Sequence, residues 1–389
     1  MISLYHIFAL AAAFVLIHLL WVVYRASVSS LAEIPSAGFL ASYSRNLWTF
    51  PREFRGSITQ DLPPLHEKLG PLIRISPNEI SYYSIGIYET VHGAGSKFKK
   101  DPKSYGGFVQ DEHPALFSLI ALEADIVSEF SFGEAIGAID AWHDRKELDM
   151  VSANDEIATW MPLLTNFPGL FRALSSLRCV LKTTTGCQIP DSRHIQDFRN
   201  WAEKACRSAL LEKTPYNHNL IQILTRSGLP PNTSLAEAKE NLGPGTDTTS
   251  ATLAHIIWAL GHNLQFQERL FQDLQNKNFS SDLSDLEAIP RLRACVKEGI
   301  RWTGAAAVML PRLVPQGGIE LHGKFIPEGV ILSSSPIWYL RDAIAFPNPK
   351  DFDPYRWLTP DGLEISQNQL RDKFYIPFSK GGNTCIGAQ

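Results

Sequence analysis

One cysteine near the C-terminal end lies in a loop that few local structures can provide. The loop reads Phe378-Ser-Lys-Gly-Gly-Asn-Thr-Cys385-Ile-Gly387, with glycines at 381, 382 and 387. Glycines allow a tight loop whose backbone amides approach the sulfur, and Phe378 can supply an apolar wall. A thiolate that ligates a metal needs such a fixed position, with nearby donors and little water. On its own, the loop is better explained as an inert buried cysteine in a glycine-rich turn.

The cysteines as a set and the overall charge exclude several classes of protein. The chain has five cysteines and no Cys-x-x-Cys pair, which argues against a disulfide framework or a zinc site and favours a reducing compartment. A net charge of -4 and the lack of Lys/Arg-rich blocks argue against nucleic acid as a partner. The cysteines are Cys179, Cys187, Cys206, Cys295 and Cys385.

The N-terminal segment differs sharply from the rest of the chain. No Lys, Arg, Asp or Glu occurs from Ile2 to Tyr24, and this run is long enough for the roughly 20 residues of a membrane-spanning helix. A cleaved signal peptide fits this segment less well, because the positive residues that usually begin a signal peptide are absent and the apolar run is too long. We therefore predict a transmembrane anchor at residues 2–24. Arg25 and Arg45 follow it, so the positive-inside rule places the body of the protein in the cytosol.

The body of the chain, after a short hinge, is predicted to be mainly helical. Residues 25–40 contain Pro35 and Gly38, which predict the hinge. Two short strands joined by a Pro-Asn turn are predicted between His66 and Tyr83. Residues 311–332 are rich in Pro and Gly and suit further short strands. Apolar spacing predicts helices at Leu116–Phe132, Thr248–Leu274 and Ile289–Trp302. The predicted fold is mainly α with a small β region.

A charged pair on the third predicted helix precedes a short arginine-containing segment. Glu298 and Arg301 are three residues apart and therefore share a helix face. Taken alone, such a pair is usually solvated at the surface. The segment Phe352-Asp-Pro-Tyr-Arg356-Trp357 follows downstream, and a planar arginine fork can bind a carboxylate with two hydrogen bonds.

The segment Gly245-Thr-Asp247-Thr248-Thr249 begins the second predicted helix. A threonine within a helix can donate its hydroxyl hydrogen to a preceding carbonyl, which would leave Thr248 in a helix interior. The alternative is that Asp247 or Thr248 caps the first turn of a helix that starts beside Pro244.

Together, and in their order along the chain, these four segments resemble the cytochrome P450 family of haem-thiolate monooxygenases. The resemblance covers the chain from about residue 30 to the end. Smaller matches at His66–Ser76, Ser128–Gly133 and Leu310–Gly318 are similar to fungal members active in secondary metabolism. The resemblance identifies residues 41–389 as a partial catalytic domain, with an incomplete P450-like fold preceded by the transmembrane helix.

The resemblance implies one cofactor and a set of partners. The cofactor would be haem b, iron protoporphyrin IX, with Cys385 as the axial ligand of the iron and Phe378, Gly381, Asn383 and Gly387 around it. Electrons would come from NADPH-cytochrome P450 reductase, and one atom of dioxygen would enter a lipophilic small molecule in secondary metabolite biosynthesis. The implied location is the endoplasmic reticulum membrane, single-pass, with the catalytic body facing the cytosol.

The resemblance also assigns roles to the residues of the upstream segments. Asp247 and Thr248 match the residues that support oxygen activation and relay protons. Glu298, Arg301 and Arg356 match a buried network that locks the cysteine-bearing region. Small and apolar residues from Thr303 to Met309 suggest that the ligand is lipophilic.

The chain departs from the family at four places. Asn383 stands where the family usually has an arginine that pairs with a haem propionate, and Pro244 stands where it usually has Ala or Gly. About ten residues join Phe117–Ile120 to Glu129–Gly133, where the family has a basic helix and a further helix. The chain stops at Gln389, four residues after Cys385. These departures leave open a shortened, catalytically impaired member without haem. A haem-thiolate isomerase or dehydratase is a third alternative, against which the Asp247-Thr248 pair argues.

Overall fold

The computed structural model describes residues 13, 16–17, 20–101, 117–144, 163, 166–185, 192–211, 219–305 and 307–388. In chain order, the helices are α1 Arg45–Phe54, α2 Ile58–Leu69, α3 Ile85–His92, α4 Phe117–Phe132, α5 Ala138–His143, α6 Pro168–Thr185, α7 Arg193–Leu211, α8 Leu220–Arg226, α9 Pro231–His262, α10 Leu264–Asn276, α11 Leu283–Glu287, α12 Pro290–Thr303, α13 Pro336–Leu340 and α14 Gln369–Phe374. The strands are β1 Leu72–Ser76, β2 Glu79–Tyr82, β3 Lys99–Lys100, β4 Arg312–Leu313, β5 Ile319–Leu321, β6 Lys324–Ile326 and β7 Ile331–Ser333.

The chain forms two compact units. The first comprises Met1–Tyr105, Ala307–Tyr339 and Phe378–Ala388, and the second comprises Gly106–Ala306, Leu340–Pro377 and Gln389. The described strands all belong to the first unit, whereas helices predominate in the second. The prediction of a mainly helical fold with a small β region is therefore confirmed.

The first unit is built around a five-stranded sheet with the order β1-β2-β7-β4-β3. The predicted hairpin is present, because β1 and β2 pair antiparallel, and β7 then adds parallel to β2. Strands β5 and β6 form a separate two-stranded sheet. Every residue of β1 and β2 is buried, which explains why these strands lack a simple alternation of apolar and polar residues.

Aromatic and branched side chains of α1, α2, β1 and α13 form the core of the first unit. Trp48, Leu62, Ile73 and Trp338 are members of this cluster. The indole of Trp338 donates to the carbonyl of Thr59 at 2.7 Å, so its one polar atom is satisfied inside an apolar environment. Met309, which the sequence suggested as part of a ligand site, also packs against this core.

The second unit contains two apolar clusters. In one, small residues such as Ala121, Ala124 and Ala238 are fully buried between helices that include α4 and α9. Side chains this small let two helix backbones approach each other closely. The other cluster includes Phe266, Phe346 and Trp357. The two clusters hold α9 and α12, which carry the candidate residues of this unit.

The helix boundaries correct one prediction. The predicted helix Thr248–Leu274 is two helices, α9 and α10, which meet at Asn263. The side chain of Asn263 accepts a hydrogen bond from the backbone N–H of Phe266 at 3.3 Å, which is the contact of a helix N-cap. The other two predicted helices, Leu116–Phe132 and Ile289–Trp302, correspond to α4 and α12 within one residue at each end.

The predicted anchor lies largely outside the described residues, which omit 1–12, 14–15 and 18–19. Within the described ranges, no helix combines the length and the apolar composition needed to cross a bilayer. The described residues 20–28 are helical, so a helix extends into the first part of the predicted hinge. The chain that follows it pairs with β1. Ala37 N donates to Arg74 O at 2.9 Å, and Arg74 N donates to Pro35 O at 2.8 Å.

Candidate functional site

The cysteine loop of the first unit is closed by its own backbone. Cys385 N donates to Phe378 O at 2.9 Å, and Thr384 N donates to Gly381 O at 3.1 Å. The hydroxyl of Thr384 donates to the same Gly381 carbonyl at 2.8 Å. A short 3-10 turn, Gly381–Asn383, lies between these contacts. The residues on both sides of the sulfur are therefore held by hydrogen bonds within the loop.

Gly381 is the glycine that the loop requires. Its φ is +69°, in the left-handed region that side chains rarely adopt. A Cβ at this position would lie 2.4 Å from Gly93 O and 2.6 Å from His92 O, and backbone atoms cannot move aside for it. At Gly387 a Cβ would meet the sulfur of Cys385 at 3.7 Å, an ordinary contact. Gly381 is thus explained by the fold, and Gly387 leaves space beside the sulfur.

The sulfur of Cys385 lies on a residue that is exposed, so the alternative of an inert buried cysteine is wrong. Cys295 shows the contrast, because it is buried and burial raises the pKa of its thiol to about 12. Next to Cys385, the apolar Ile386 is 87% exposed. Asn383 is exposed as well, and its neutral amide brings no charge to the loop.

These features fit a large cofactor that takes one thiolate ligand from the protein. Among the described residues, no group of three or more His, Cys, Asp or Glu side chains is placed to hold a metal ion. A metal at Cys385 would therefore need most of its ligands from a non-protein group, as a porphyrin supplies them. The exposed Ile386 offers an apolar contact for such a group.

Helix α3 supplies contacts to this loop that the sequence did not indicate. The hydroxyl of Tyr88 donates to Ser379 Oγ at 3.2 Å, and Lys380 Nζ lies 3.2 Å from Glu89 Oε1. His92, at the end of the helix, is buried, and no described residue gives either of its ring nitrogens a hydrogen-bond partner. Burial, with a smaller effect of the charge of Arg312, lowers the pKa of His92 to about 3.

In the second unit, Glu298 stands at the centre of a buried network. Its Oε1 accepts hydrogen bonds from Arg301 Nη2 at 2.7 Å, Arg356 Nε at 3.0 Å and Asp353 N at 2.9 Å. Its Oε2 accepts from Arg301 Nε at 2.8 Å and Trp357 Nε1 at 3.0 Å. Glu298 and Arg301 are fully buried, so the alternative of a solvated surface pair is wrong. A buried carboxylate is tolerated when its lone pairs are filled in this way.

Arg301 connects this carboxylate to the chain that follows Leu340. Besides Glu298, it donates to Leu340 O at 3.0 Å, Pro349 O at 2.9 Å and Asp351 O at 3.0 Å. All five N–H groups of the guanidinium therefore have an acceptor. The predicted trio of Glu298, Arg301 and Arg356 is brought together as expected. Trp357 is a further member that the spacing of charged residues did not reveal.

Asp247 and Thr248 lie in the interior of α9, which begins at Pro231. The alternative in which one of them caps a helix is therefore wrong, and so is a helix start at Pro244. The hydroxyl of Thr248 donates to Pro244 O at 2.8 Å. Because Pro244 has no N–H, the helix lacks the bond to the carbonyl four residues earlier and is weakened at this point. Gly245 faces α4, where a Cβ would meet Val127 at 3.2 Å.

The candidate residues thus fall into three places. The loop residues Phe378 to Gly387 belong to the first unit, and Asp247, Thr248 and the Glu298 network belong to the second.

The stretch from Phe117 to Phe132, where the resemblance implied a missing basic helix, forms the single continuous helix α4. This helix contains no Lys or Arg, so it provides none of the basic ligands that the family has in this region.

Comparison with known proteins agrees with these observations. The family model for cytochrome P450 matches residues 112–389. The cytochrome P450 monooxygenase macH of Penicillium terrestre is 26% identical over 449 aligned residues, covering 97% of this chain and 86% of the relative. BOT1 of Botryotinia fuckeliana is 27% identical, with 97% and 85% covered. For asqL of Emericella nidulans the values are 28%, 69% and 56%.

The alignment with macH extends over 449 positions, although this chain has only 389 residues. The relative therefore contains internal residues that have no counterpart here. The family model nevertheless matches most of the chain, including the Glu298 network and the cysteine loop. The chain belongs to the cytochrome P450 family, and it is an oxidoreductase of the monooxygenase class.

Proposed function

We propose that this chain binds haem b through Cys385 Sγ and inserts one oxygen atom from dioxygen into a lipophilic small molecule in fungal secondary metabolism. The observation that carries the proposal is the exposed Cys385 thiol in a loop closed by Phe378 and shaped by Gly381. Support also comes from similar fungal proteins that are named cytochrome P450 monooxygenases. Family membership supports the narrower parts of the proposal, haem b and the substrate class.

The residues of the loop would hold and shield the cofactor. Cys385 would supply the thiolate, Phe378 and Ile386 would supply apolar contacts, and Gly387 would leave space for close approach. Gly381 would keep the loop close against the end of α3. Asn383 would donate a neutral hydrogen bond where an arginine would donate a charged one, which is weaker by about a factor of two in energy. When bound, the haem supplies oxygen activation with electrons delivered from NADPH by cytochrome P450 reductase.

Thr248 and Asp247 are the groups proposed to move protons. The hydroxyl of Thr248 is held by Pro244 O at 2.8 Å, and rotation about its Cα–Cβ bond would aim the same hydrogen at a reactant. A hydroxyl can accept one proton while it donates another. Asp247, the preceding residue, would supply the proton that replaces the donated one, with its carboxyl group as the proton carrier. The Glu298 network has a different role, since it fixes backbone carbonyls at Leu340, Pro349 and Asp351.

The proposed location is the endoplasmic reticulum membrane, with a single N-terminal span and the catalytic body in the cytosol. The support is the uncharged run Ile2–Tyr24 and the basic residues after it. In expressing cells, the chain should resist alkaline extraction from microsomes, and a protease added outside should digest residues beyond 25. Release by alkali, or protection from the protease, would contradict this location.

A difference spectrum of the reduced protein with carbon monoxide tests the function. The full chain, expressed with haem supplementation, should show the red-shifted Soret band of thiolate ligation. Cys385→Ala should remove that band. Cys179→Ala is the matched control, since Cys179 is also exposed but lies on α6, and it should leave the band unchanged.

Two results would refute the proposal. If the wild-type chain retains no haem, the alternative of a haem-free, catalytically impaired family member replaces it. If Cys385→Ala keeps the thiolate band, the ligand assignment is wrong. If instead the chain retains haem with the thiolate band, turnover with a reductase, assayed on extracts of lipophilic metabolites, would identify the substrate.

A further inference from the structure

We propose that helix α3 is a positioning element for the cysteine loop, acting through the hydroxyl of Tyr88 on Ser379. This inference rests on the proposed function only in what the loop is positioned for, namely presentation of the Cys385 sulfur. The contacts themselves lie within the first unit. Three consecutive loop residues, Ser379 to Gly381, each meet α3 or the residue that follows it.

The first of these contacts, from Tyr88 to Ser379, acts on an unusual backbone conformation. Ser379 has φ of +62°, a left-handed value that is unfavourable for residues other than glycine. Such a conformation persists only where its surroundings enforce it. Tyr88 is fully buried, and its hydroxyl donates to Ser379 Oγ at 3.2 Å. The tyrosine therefore holds the loop at the residue that would most readily change conformation.

The next two loop residues are held from the same helix. Lys380 Nζ lies 3.2 Å from Glu89 Oε1, a partly exposed pair that contributes little energy but favours one orientation. Gly381 lies directly against the carbonyls of His92 and Gly93, where even a Cβ has no room. The loop thus follows the C-terminal end of α3 without a gap.

Helix α3 is itself anchored by an aromatic contact to Tyr339 of α13 and, through the hydroxyl of Tyr339, to Ser334, which follows β7. The Tyr88 ring stacks on His92 with centroids 4.4 Å apart and meets the edge of Tyr339 at 5.0 Å. The hydroxyl of Tyr339 is hydrogen-bonded with Ser334 Oγ at 2.9 Å and donates to Ser84 O at 3.3 Å. Displacing Tyr88 would require the movement of several buried rings, so α3 is a rigid support.

Fixing Ser379 and Gly381 fixes the residues on either side of the sulfur. Phe378, next to Ser379, accepts the hydrogen bond of Cys385 N at 2.9 Å. Gly381 O accepts both the N–H and the hydroxyl of Thr384. Through these bonds, the position of the Cys385 backbone depends on the contact between Tyr88 and Ser379.

Tyr88→Phe tests the inference, because it keeps the stacked ring and removes only the hydroxyl. The amides of Thr384 and Cys385 should then exchange about two- to tenfold faster in hydrogen exchange, as expected for the loss of one hydrogen bond. In haem-loaded protein, the fraction of the carbonyl adduct with the thiolate band should fall. Tyr83→Phe is the matched control, since it removes a 3.1 Å bond from a tyrosine hydroxyl to Trp338 O without touching the loop.

A double-mutant cycle separates this contact from general destabilisation. Ser379→Ala alone should have the effect of Tyr88→Phe, and the double variant should exchange no faster than either single variant. Additive effects, or equal effects of Tyr88→Phe and Tyr83→Phe on the loop amides, would overturn the inference. The exchange measurement uses haem-free full-length protein, so it decides the inference even if the wild-type chain binds no haem and the proposed function fails.

Discussion

At the scale of single residues, Glu298 is the acidic centre of the buried network in the second unit. One carboxylate accepts five hydrogen bonds, from two arginines, an indole and a backbone amide. In a buried site, the loss of one charged partner is costly because the other charges then lack compensation. The fold of the chain around Leu340–Trp357 therefore depends on a single acidic side chain.

Glu298→Gln should lower the free energy of unfolding by about 3–5 kcal/mol, because Arg301 and Arg356 lose their counter-charge and an amide N–H replaces one acceptor. Glu287→Gln is the control, since Glu287 is exposed at the end of α11, and it should change stability by less than about 0.5 kcal/mol. Urea unfolding followed by tryptophan fluorescence measures both. A loss below about 1 kcal/mol for Glu298→Gln would show that the fold does not depend on this network for its stability.

At the scale of elements, α9 is a long helix that continues through a residue that disfavours helix. It runs through Pro244 without ending, although proline removes a helical hydrogen bond and crowds the preceding turn. The hydroxyl bond from Thr248 to Pro244 O lies in the same turn, and Gly245 packs on Val127 of α4. The weakened turn carries Asp247 and Thr248, the residues proposed to move protons. This part of α9 therefore presents functional side chains as well as packing against its neighbours.

Pro244→Ala should restore the missing backbone bond and raise the unfolding free energy by about 1–3 kcal/mol. Pro231→Ala provides the control, because Pro231 occupies the first turn of the same helix, where the N–H would have no helical partner, and it should change stability little. Thermal unfolding distinguishes the two. Destabilisation by Pro244→Ala would mean that packing of α4 on α9 requires the distorted turn.

At the scale of the whole molecule, two buried histidines contribute to the dependence of stability on pH. Burial lowers the pKa of His66 to about 4 and that of His92 to about 3. His66 nevertheless has partners at both nitrogens, Gly70 O at 3.0 Å and Ser81 Oγ at 2.8 Å. Both side chains are neutral in the folded chain at pH 7, whereas the unfolded chain protonates them near their ordinary value of about 6.5.

Because the folded pKa values are depressed, these histidines favour the folded state fully above about pH 6.5, and stability falls as the pH drops towards 4. Each of the two histidines should lower the free energy of unfolding by about 1.4 kcal/mol for each pH unit in that window. Urea midpoints measured from pH 7 to pH 5 should show this decline. His92→Phe, which keeps the ring on Tyr88, should reduce the slope and raise stability at every pH, whereas an unchanged slope would place the titration elsewhere.

The sequence predicted the parts of this molecule that depend on local spacing. Glu298 and Arg301 were recognisable because residues three apart share a helix face, and the hairpin before Tyr83 because turn residues separate two short strands. The indole of Trp357 and the hydroxyl of Tyr88 were not, since their partners lie 59 and 291 residues away. No local pattern encodes such contacts. The end of α9 at Asn263 was missed because its apolar spacing continues into α10.

The first unit is assembled from three separate stretches of chain, of which Phe378–Ala388 is synthesised last. Helix α3 emerges from the ribosome early, but its loop partner follows 291 residues later. Contacts this distant in sequence form slowly and only after the intervening chain is available. The end of α3 that carries Tyr88 therefore lacks its contact with Ser379 until residues 378–388 have been synthesised, so the conformation of the loop is set only once that stretch of chain is available.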